Sequence, residues 1–146
     1  MRAPTILPPD PNPKKPAFKA PPLSCDAHTH IFGPGDRYPY AADASYIPHD
    51  CGLDKFRELH ERIGIERAVI VNASCHGLDN SVVTDAIAAS NGLYKGVGNV
   101  DDSFSEAQIE ALDRGGIHGC RFTFLKRLGR TPDMSAFHRV VEKIKA

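Results

Sequence analysis

The chain has 146 residues, with 18 basic and 18 acidic side chains, 41% hydrophobic residues and 25% charged residues. These values are typical of a globular domain of ordinary size. The balanced charge disfavours nucleic acid and acidic membranes as partners, and no apolar run approaches the roughly 20 residues that span a bilayer.

Residues 1–22 hold eight of the twelve prolines. Because proline lacks a backbone N–H and disrupts helix interiors, we predict a disordered, extended arm here, followed by one domain over residues 23–146. The arm contains no apolar stretch of the secretory type, so we expect a cytoplasmic protein. The cysteines lack CxxC spacing, which predicts buried or pocket-wall thiols without a disulfide frame or a zinc site: Cys25, Cys51, Cys75 and Cys120.

The rest of the chain alternates strands with helices. Hydrophobic periodicity predicts strands at about 23–32, 68–71, 94–100 and 118–124, and helices at about 54–63, 80–90, 105–115 and from 131 onward. We expect Asn80 to cap the second helix, Ser105 and Gln108 to form a capping box, and the last helix to bury a stripe of Met134, Phe137, Val141 and Ile144. Alternating βα order implies a parallel sheet. It fits a doubly wound sheet or a (β/α)₈ barrel, of which four units are half.

The most informative motif is Asp26-Ala27-His28-Thr29-His30, at the end of the first predicted strand. Side chains two apart in a strand point to the same side. His28 and His30 are therefore predicted to share one face, with Asp26 behind them on that face. This pattern is typical of an active site at the mouth of a parallel sheet. The alternative is a surface strand with two solvated histidines.

Further polar residues follow the other strands, at the carboxyl ends where sites form in parallel α/β folds. Ser74 and the neighbouring backbone amides could bind an oxyanion or a carboxylate, or could simply form a turn before a helix. His76 fits a supporting loop role better than a catalytic one. Tyr46, in the long loop after the first strand, fits loop packing and substrate contact equally.

Arg121 lies inside an apolar strand and needs an anion, because a buried guanidinium without one is strongly destabilised. An internal salt bridge to Asp26 or Asp101 is one solution, and a bound ligand is the other. Together with Arg127, Arg121 would suit a substrate with two carboxylates, since each guanidinium can bind one carboxylate bidentately.

These residues resemble the amidohydrolase-2 branch of the amidohydrolase superfamily, and most closely its 2-pyrone-4,6-dicarboxylate lactonases. The resemblance runs from about residue 25 to residue 137. The HxH pair alone marks only the superfamily, whereas the later motifs are far more specific. The segments that carry it are 25–34, 45–48, 73–80 and 121–128.

The resemblance implies a TIM-barrel hydrolase that opens the lactone of an aromatic-degradation intermediate with two carboxylates. By analogy, His28 and His30 would contact the substrate and polarise the lactone carbonyl. Four side chains would hold the carboxylates, with His76 as a further substrate-binding residue: Tyr46, Ser74, Arg121 and Arg127. The branch implies catalysis without a metal, so we expect no cofactor, although HxH spacing suits zinc at His28 and His30 equally well.

The family's general base follows its eighth strand, and a further histidine follows its fifth. This sequence predicts only the first four units, the N-terminal half of such a barrel, so we expect no lactone hydrolysis by this chain alone. Asp26, Asp101 or Asp102 could replace the base, but nothing in the sequence favours them. The alternatives are a non-catalytic half-barrel that binds dicarboxylates, and a half-barrel that assembles with a second copy or a complementary C-terminal half.

Overall fold

The computed structural model describes residues 4–123 and 133–145. Within them, four strands alternate with four α-helices, in the predicted order. In chain order these are β1 Cys25–Thr29, α1 Leu53–Ile63, β2 Arg67–Val71, α2 Ser81–Ala88, β3 Tyr94–Asn99, α3 Glu106–Arg114, β4 Ile117–Arg121 and α4 Met134–Lys145. A short 3₁₀ turn, Ser74–His76, lies between β2 and α2.

The four strands form one parallel sheet in the order β1-β2-β3-β4. Each strand therefore pairs with the next strand in the sequence. A doubly wound sheet reverses its strand order at a switch point, whereas a (β/α)₈ barrel adds its strands consecutively. The strand order thus favours the barrel over the doubly wound alternative.

The core lies between the sheet and the helices that cover one of its faces. Its buried members come from every strand but β1 and from the flanking helices and loop: Ile31, Tyr38, Phe56, Ala68, Ile70, Val82, Val83, Ala86, Tyr94 and Ile117. Gly96 of β3 is required for this packing. A Cβ at that position would lie 2.8 Å from Val83 and 2.9 Å from Ile117, so any larger residue would push α2 away from the sheet.

The opposite face of the sheet, which we call the inner face, is open. Val69 and Val97 point to it and remain only half-buried, and Lys95 of β3 is exposed. β1 and β4 form the two outer edges of the sheet, and neither edge has a second partner among the described residues. Among the described residues the inner face therefore carries half-buried valines beside polar side chains, and unpaired sheet edges of this kind are normally covered.

A bulge in β1 separates Asp26 from the two histidines. Between Asp26 and Thr29, β1 advances three residues while β2 advances two. This extra residue turns Asp26 to the helix-covered face, where its Oδ2 lies 3.5 Å from Nε2 of the buried His60 in α1. Alternation from Thr29 onward directs His28 and His30 to the inner face. The predicted position of Asp26, behind the histidines on their own face, is wrong.

The helix ends agree with the sequence in one case and differ in another. The capping box of α3 is confirmed, since Ser105 Oγ accepts the N–H of Gln108 at 3.3 Å and Gln108 Oε1 accepts the N–H of Ser105 at 2.8 Å. Asn80 occupies the N-cap position of α2, but its side chain makes no capping hydrogen bond. The predicted capping role of Asn80 is therefore wrong, because its amide is used elsewhere.

The buried stripe of α4 is also displaced from the prediction. Val140 is only 1% exposed, whereas Met134 and Ile144 are 49% and 44% exposed. Phe137 and Val141 are half-buried, and the Phe137 ring packs on Phe122 with centroids 4.8 Å apart. The middle of the predicted stripe is therefore confirmed, whereas its two ends are exposed.

Residues 4–22 run over the surface without helix or strand. The N–H of Thr5 donates to the carbonyl of Ile47 at 2.8 Å, and the N–H of Ile47 donates to Thr5 Oγ1 at 2.9 Å. Arg62 of α1 donates to the carbonyl of Pro13 at 2.9 Å. These contacts tie the arm to the domain at two places, and its disorder stays a prediction. None of the helices described above combines the length and apolarity needed to cross a membrane.

Candidate functional site

The two histidines of β1 lie at the carboxyl end of the sheet, with their rings edge to face and centroids 5.2 Å apart. His28 is exposed and His30 is half-buried. Nδ1 of His30 lies 2.7 Å from the carbonyl oxygen of Val71 at the end of β2. A carbonyl only accepts, so Nδ1 carries the hydrogen and, in the neutral ring, Nε2 carries the lone pair. Burial lowers the pKa of His30, which keeps the ring neutral at neutral pH.

The 3₁₀ turn Ser74–His76 brings the Ser74 hydroxyl to the same edge of the sheet. Inside the turn, the N–H of His76 donates to Ala73 and the N–H of Gly77 donates to Ser74. These two N–H groups are therefore not available to bind an anion. Of the backbone N–H groups predicted to bind an anion, those at the start of the turn remain. The Ser74 hydroxyl remains as the group that could contact a ligand.

Tyr46 lies beside this turn. Burial raises the pKa of Tyr46, while a hydrogen bond with Ser74 and the positive charge of Arg121 oppose that shift. The phenol consequently keeps its hydrogen at neutral pH and can donate it to an anion. The structure thus places Tyr46 within reach of Ser74 and of the charge of Arg121, and their joint role in holding a carboxylate stays a prediction.

His76 lies beneath the turn and not on its surface. It is 2% exposed, and its ring packs on Tyr40 with centroids 5.0 Å apart. Burial lowers the pKa of His76, so the ring is neutral, and Nε2 has no hydrogen-bond partner within the described part of the chain. A contact between His76 and substrate stays a prediction, while its packing role is plain.

Arg121 ends β4 and is half-buried on the inner face, opposite Asn99 of β3. Its NH1 donates to the carbonyl oxygen of Asn72 at 3.1 Å. The two acids considered as internal partners are engaged elsewhere: Asp26 faces His60, and Asp101 accepts from Ser103. None of the ion pairs among the described residues includes Arg121, so the internal salt bridge is wrong and the guanidinium retains donors for a ligand.

An open cleft of about 510 Å³ joins several of these groups at the carboxyl ends of β2, β3 and β4. Its walls include Ser74, His76, Asn99 and Arg121. His28, His30 and Tyr46 lie outside these walls, toward β1. Arg127 lies outside the described residues, in the segment 124–132.

Two of the acids considered as a substitute base, Asp101 and Asp102, line the cleft and are held by neighbouring side chains. Asp101 accepts the N–H and the hydroxyl of Ser103. Asp102 accepts from Arg139 Nε at 2.9 Å, and this hydrogen bond lowers the pKa of the Asp102 carboxyl. A carboxylate held in this way binds a proton weakly. With Asp26 turned to His60, none of the three acids considered as a substitute base is placed for that role.

Within residues 4–123 and 133–145, no cluster of three or more His, Cys, Asp or Glu side chains is placed to hold a metal ion. His28 and His30 thus lack a third protein ligand of these types there, which is fewer than zinc sites normally use. Metal-free chemistry stays a prediction. All four cysteines are free thiols, although Cys25 is exposed and not buried as expected.

Sequence reasoning missed an amide network beside the cleft. Asn72, Asn80 and Asn99 lie at the end of β2, the start of α2 and the end of β3, and their side chains hydrogen-bond to one another or to neighbouring main chain. Asparagine at two strand ends was the available signal, but asparagine is also common in plain turns.

A family model described as amidohydrolase matches residues 25–146. Among curated proteins, the chain is 43% identical over 117 residues to a 2-pyrone-4,6-dicarboxylate hydrolase of Comamonas testosteroni, covering 80% of this chain and 38% of that protein. It is 36% identical over 126 residues to a 4-sulfomuconolactone hydrolase of Hydrogenophaga intermedia, covering 86% of this chain and 42% of that one. The chain therefore spans about two fifths of these relatives.

Solved structures show the same partial overlap. An apo crystal structure of an Agrobacterium tumefaciens protein matches with a TM-score of 0.73 and 26% identity, over 88% of this chain and 46% of that one. A probable 2-pyrone-4,6-dicarboxylic acid hydrolase of Acinetobacter baumannii, crystallised with citric acid, matches with a TM-score of 0.73 and 21% identity, over 84% and 45%. At 21% identity, the second match shows a shared fold and nothing more.

Proposed function

The chain belongs to the amidohydrolase family, and from this membership we propose that it forms part of a hydrolase that opens a lactone ring bearing two carboxylates. The membership confirms the resemblance seen in the sequence, and the structural matches confirm four βα units of a (β/α)₈ barrel. The identity to the Comamonas hydrolase supports 2-pyrone-4,6-dicarboxylate, or a close analogue from aromatic-compound degradation, as the substrate class.

The observation that carries this proposal is the guanidinium of Arg121, which forms no ion pair within residues 4–123 and 133–145. There this half-buried cation at the mouth of a cleft donates to a backbone carbonyl, which favours an anionic ligand. The Ser74 hydroxyl and the protonated Tyr46 phenol add neutral donors beside it. One carboxylate would bind to these three groups, and the second would bind to Arg127.

Hydrolysis of a lactone needs a proton acceptor for the attacking water and a donor to the carbonyl oxygen. His30 fits the first role better than the second, because its Nδ1 hydrogen is bound to Val71 and its Nε2 carries a lone pair. We assign the contact with the lactone carbonyl to His28, whose ring lies beside that of His30.

We propose that the 146-residue chain binds the lactone without turning it over. His28 is exposed on an open sheet face, so water competes with it for the carbonyl oxygen. Preorganised donors stabilise a developing oxyanion far better in a site that excludes water. The second candidate function, a dicarboxylate-binding half-barrel without chemistry, is favoured by this same openness.

The inner face also suggests a partner. The half-buried valines, and the two sheet edges that have no second partner strand among the described residues, would be covered by a further set of parallel strands, as in a closed barrel. We propose that a complementary half-barrel, from a second copy or from a C-terminal half, completes the site.

The test uses purified chain with 2-pyrone-4,6-dicarboxylate, following binding by calorimetry and hydrolysis by loss of the pyrone absorbance. Unsubstituted 2-pyrone, which lacks carboxylates, is the control ligand, and 4-sulfomuconolactone tests a sulfonated alternative. We expect binding of the dicarboxylate, none of the control, and no turnover above the buffer blank. Absence of binding would refute the dicarboxylate assignment, and turnover would refute the need for closure.

A further inference from the structure

We propose that Asn99 is a positioning residue, which holds the Ser74 turn in register with Arg121 so that one carboxylate can bind to both. This inference rests on the proposed function of the cleft. No hydrogen bond among the described residues joins Ser74 to Arg121, so other residues must set the distance between them.

Asn99 binds both ends of the turn. Its Nδ2 donates to the carbonyl oxygen of Gly77 at 2.8 Å and lies 3.4 Å from the carbonyl oxygen of Ala73. These two carbonyls flank the 3₁₀ turn Ser74–His76. The amide of one strand residue therefore closes the turn from outside, in addition to the turn's own hydrogen bonds.

Asn99 is itself held by Asn80. Asn80 Oδ1 accepts the N–H of Asn99 at 2.8 Å and Asn72 Nδ2 at 2.9 Å, while Asn80 Nδ2 donates to the carbonyl oxygen of Asn99 at 2.9 Å. Asn80 is 5% exposed and Asn72 is 0% exposed, so water does not compete for the bond between these two side chains, while the bonds to the half-buried Asn99 are partly shielded. The network consequently joins the ends of β2 and β3 rigidly.

The same network reaches Arg121. Asn99 pairs with Arg121 across β3 and β4, and Arg121 NH1 donates to the carbonyl oxygen of Asn72. The Ser74 turn is thus fixed through the side chain of Asn99, and the guanidinium through the main chain of Asn72. Both cleft groups take their positions from one set of amides.

An amide is required at position 99 because the bonds to Gly77 and Ala73 need a donor. Aspartate has nearly the same shape but would place a carboxylate oxygen against two carbonyl oxygens. Repulsion would open the turn without removing side-chain volume. Asn99→Asp is therefore the sharpest variant, and Asn91→Asp is its matched control, since Asn91 is exposed in the turn after α2.

The first readout needs no ligand. Cys75 lies in the middle of the turn and is 0% exposed, and burial raises the pKa of its thiol, so iodoacetamide should modify it slowly in the intact protein. We expect Asn99→Asp to speed the modification of Cys75 at least tenfold, measured by peptide mass spectrometry, with the Asn91→Asp variant within twofold of wild type. Equal acceleration at Cys120 of β4 would indicate general unfolding and overturn the proposal, as would an unchanged rate at Cys75.

The second readout is a double-mutant cycle on the binding of 2-pyrone-4,6-dicarboxylate. We expect Asn99→Ala, which removes the donor without placing a negative charge opposite Arg121, to weaken binding about tenfold when Ser74 is present, and less than twofold in a Ser74→Ala background, because the residue acts through that turn. Additive losses would overturn the positioning role. If the wild type binds no dicarboxylate, the proposed function fails, and the Cys75 rates alone decide whether Asn99 holds the turn.

Discussion

Replacing Arg121 by alanine should weaken the binding of 2-pyrone-4,6-dicarboxylate by a factor of about 100. NH1 of Arg121 already donates to Asn72 at 3.1 Å, which leaves another edge of the guanidinium for a bidentate carboxylate. Because the group is half-exposed, we take the low end of the range, about 1.5 kcal/mol for each of two charge-assisted hydrogen bonds. The sum of about 3 kcal/mol corresponds to about 100-fold in Kd.

Calorimetric titration of wild type, Arg121→Ala and Arg121→Lys measures this loss. Lysine keeps the charge but loses the bidentate geometry, so its loss should be about tenfold. Arg114→Ala is the control, because Arg114 is 69% exposed and pairs with Glu110 at 3.4 Å, away from the cleft. A Kd of Arg121→Ala within twofold of wild type would refute the reasoning.

The same substitution gives a second, ligand-free result. Among the described residues Arg121 has no ion pair, so its desolvation opposes the gain from its hydrogen bond to the buried carbonyl of Asn72, and the Tm of unliganded Arg121→Ala should change little. A Tm lower by ten degrees or more would exceed the loss of that one hydrogen bond and would contradict a guanidinium without an internal ion pair.

The remaining predictions concern stability and assembly. Burial lowers the pKa of His76 from 6.5, so stability is full above pH 6.5 and is lost as the pH falls from there toward the pKa of the folded state. His76→Gln should therefore flatten the decline of Tm measured between pH 7.5 and pH 5. An unchanged slope would contradict the assignment. Gly96→Ala should cost about 1–3 kcal/mol in urea unfolding, because its Cβ would lie 2.8 Å from Val83. Gly119→Ala, whose Cβ would lie 3.3 Å from Val97 on the open face, should lower the free energy of unfolding by less than Gly96→Ala does. An equal loss for the two variants would contradict the packing argument. Light scattering should show a dimer of the chain in solution; a well-folded monomer at all concentrations would argue against a second copy as the partner.

The order of the βα units could be predicted because its signals are local. The apolar run at residues 68–71 and the capping box of Ser105 and Gln108 each lie within a few residues, and both occur as expected. Periodicity and capping depend on backbone geometry that is the same in any fold. The parallel sheet followed from that order.

Two details were out of reach for the same physical reason. The face on which Asp26 lies depends on a bulge, which exists only relative to the register of β2. The role of Asn80 depends on Asn99, 19 residues away, whose main chain competes successfully with the helix terminus for the amide. Neither the register of β1 against β2 nor the contact of Asn80 with Asn99 has a local signature. Side-chain alternation in strands and residue preferences at helix caps therefore gave the wrong prediction at these two positions.

The amino-acid order is enough to place histidines, a serine and arginines at the carboxyl ends of successive strands, because alternation of strands and helices brings those ends to one edge. Only the folded sheet reveals which of them share a ligand. Arg121 meets the main chain of Asn72, 49 residues earlier, while the acids that might have neutralised it are bound to other side chains. Such choices are settled by register and by competition among hydrogen bonds over long separations, which no stretch of sequence contains by itself.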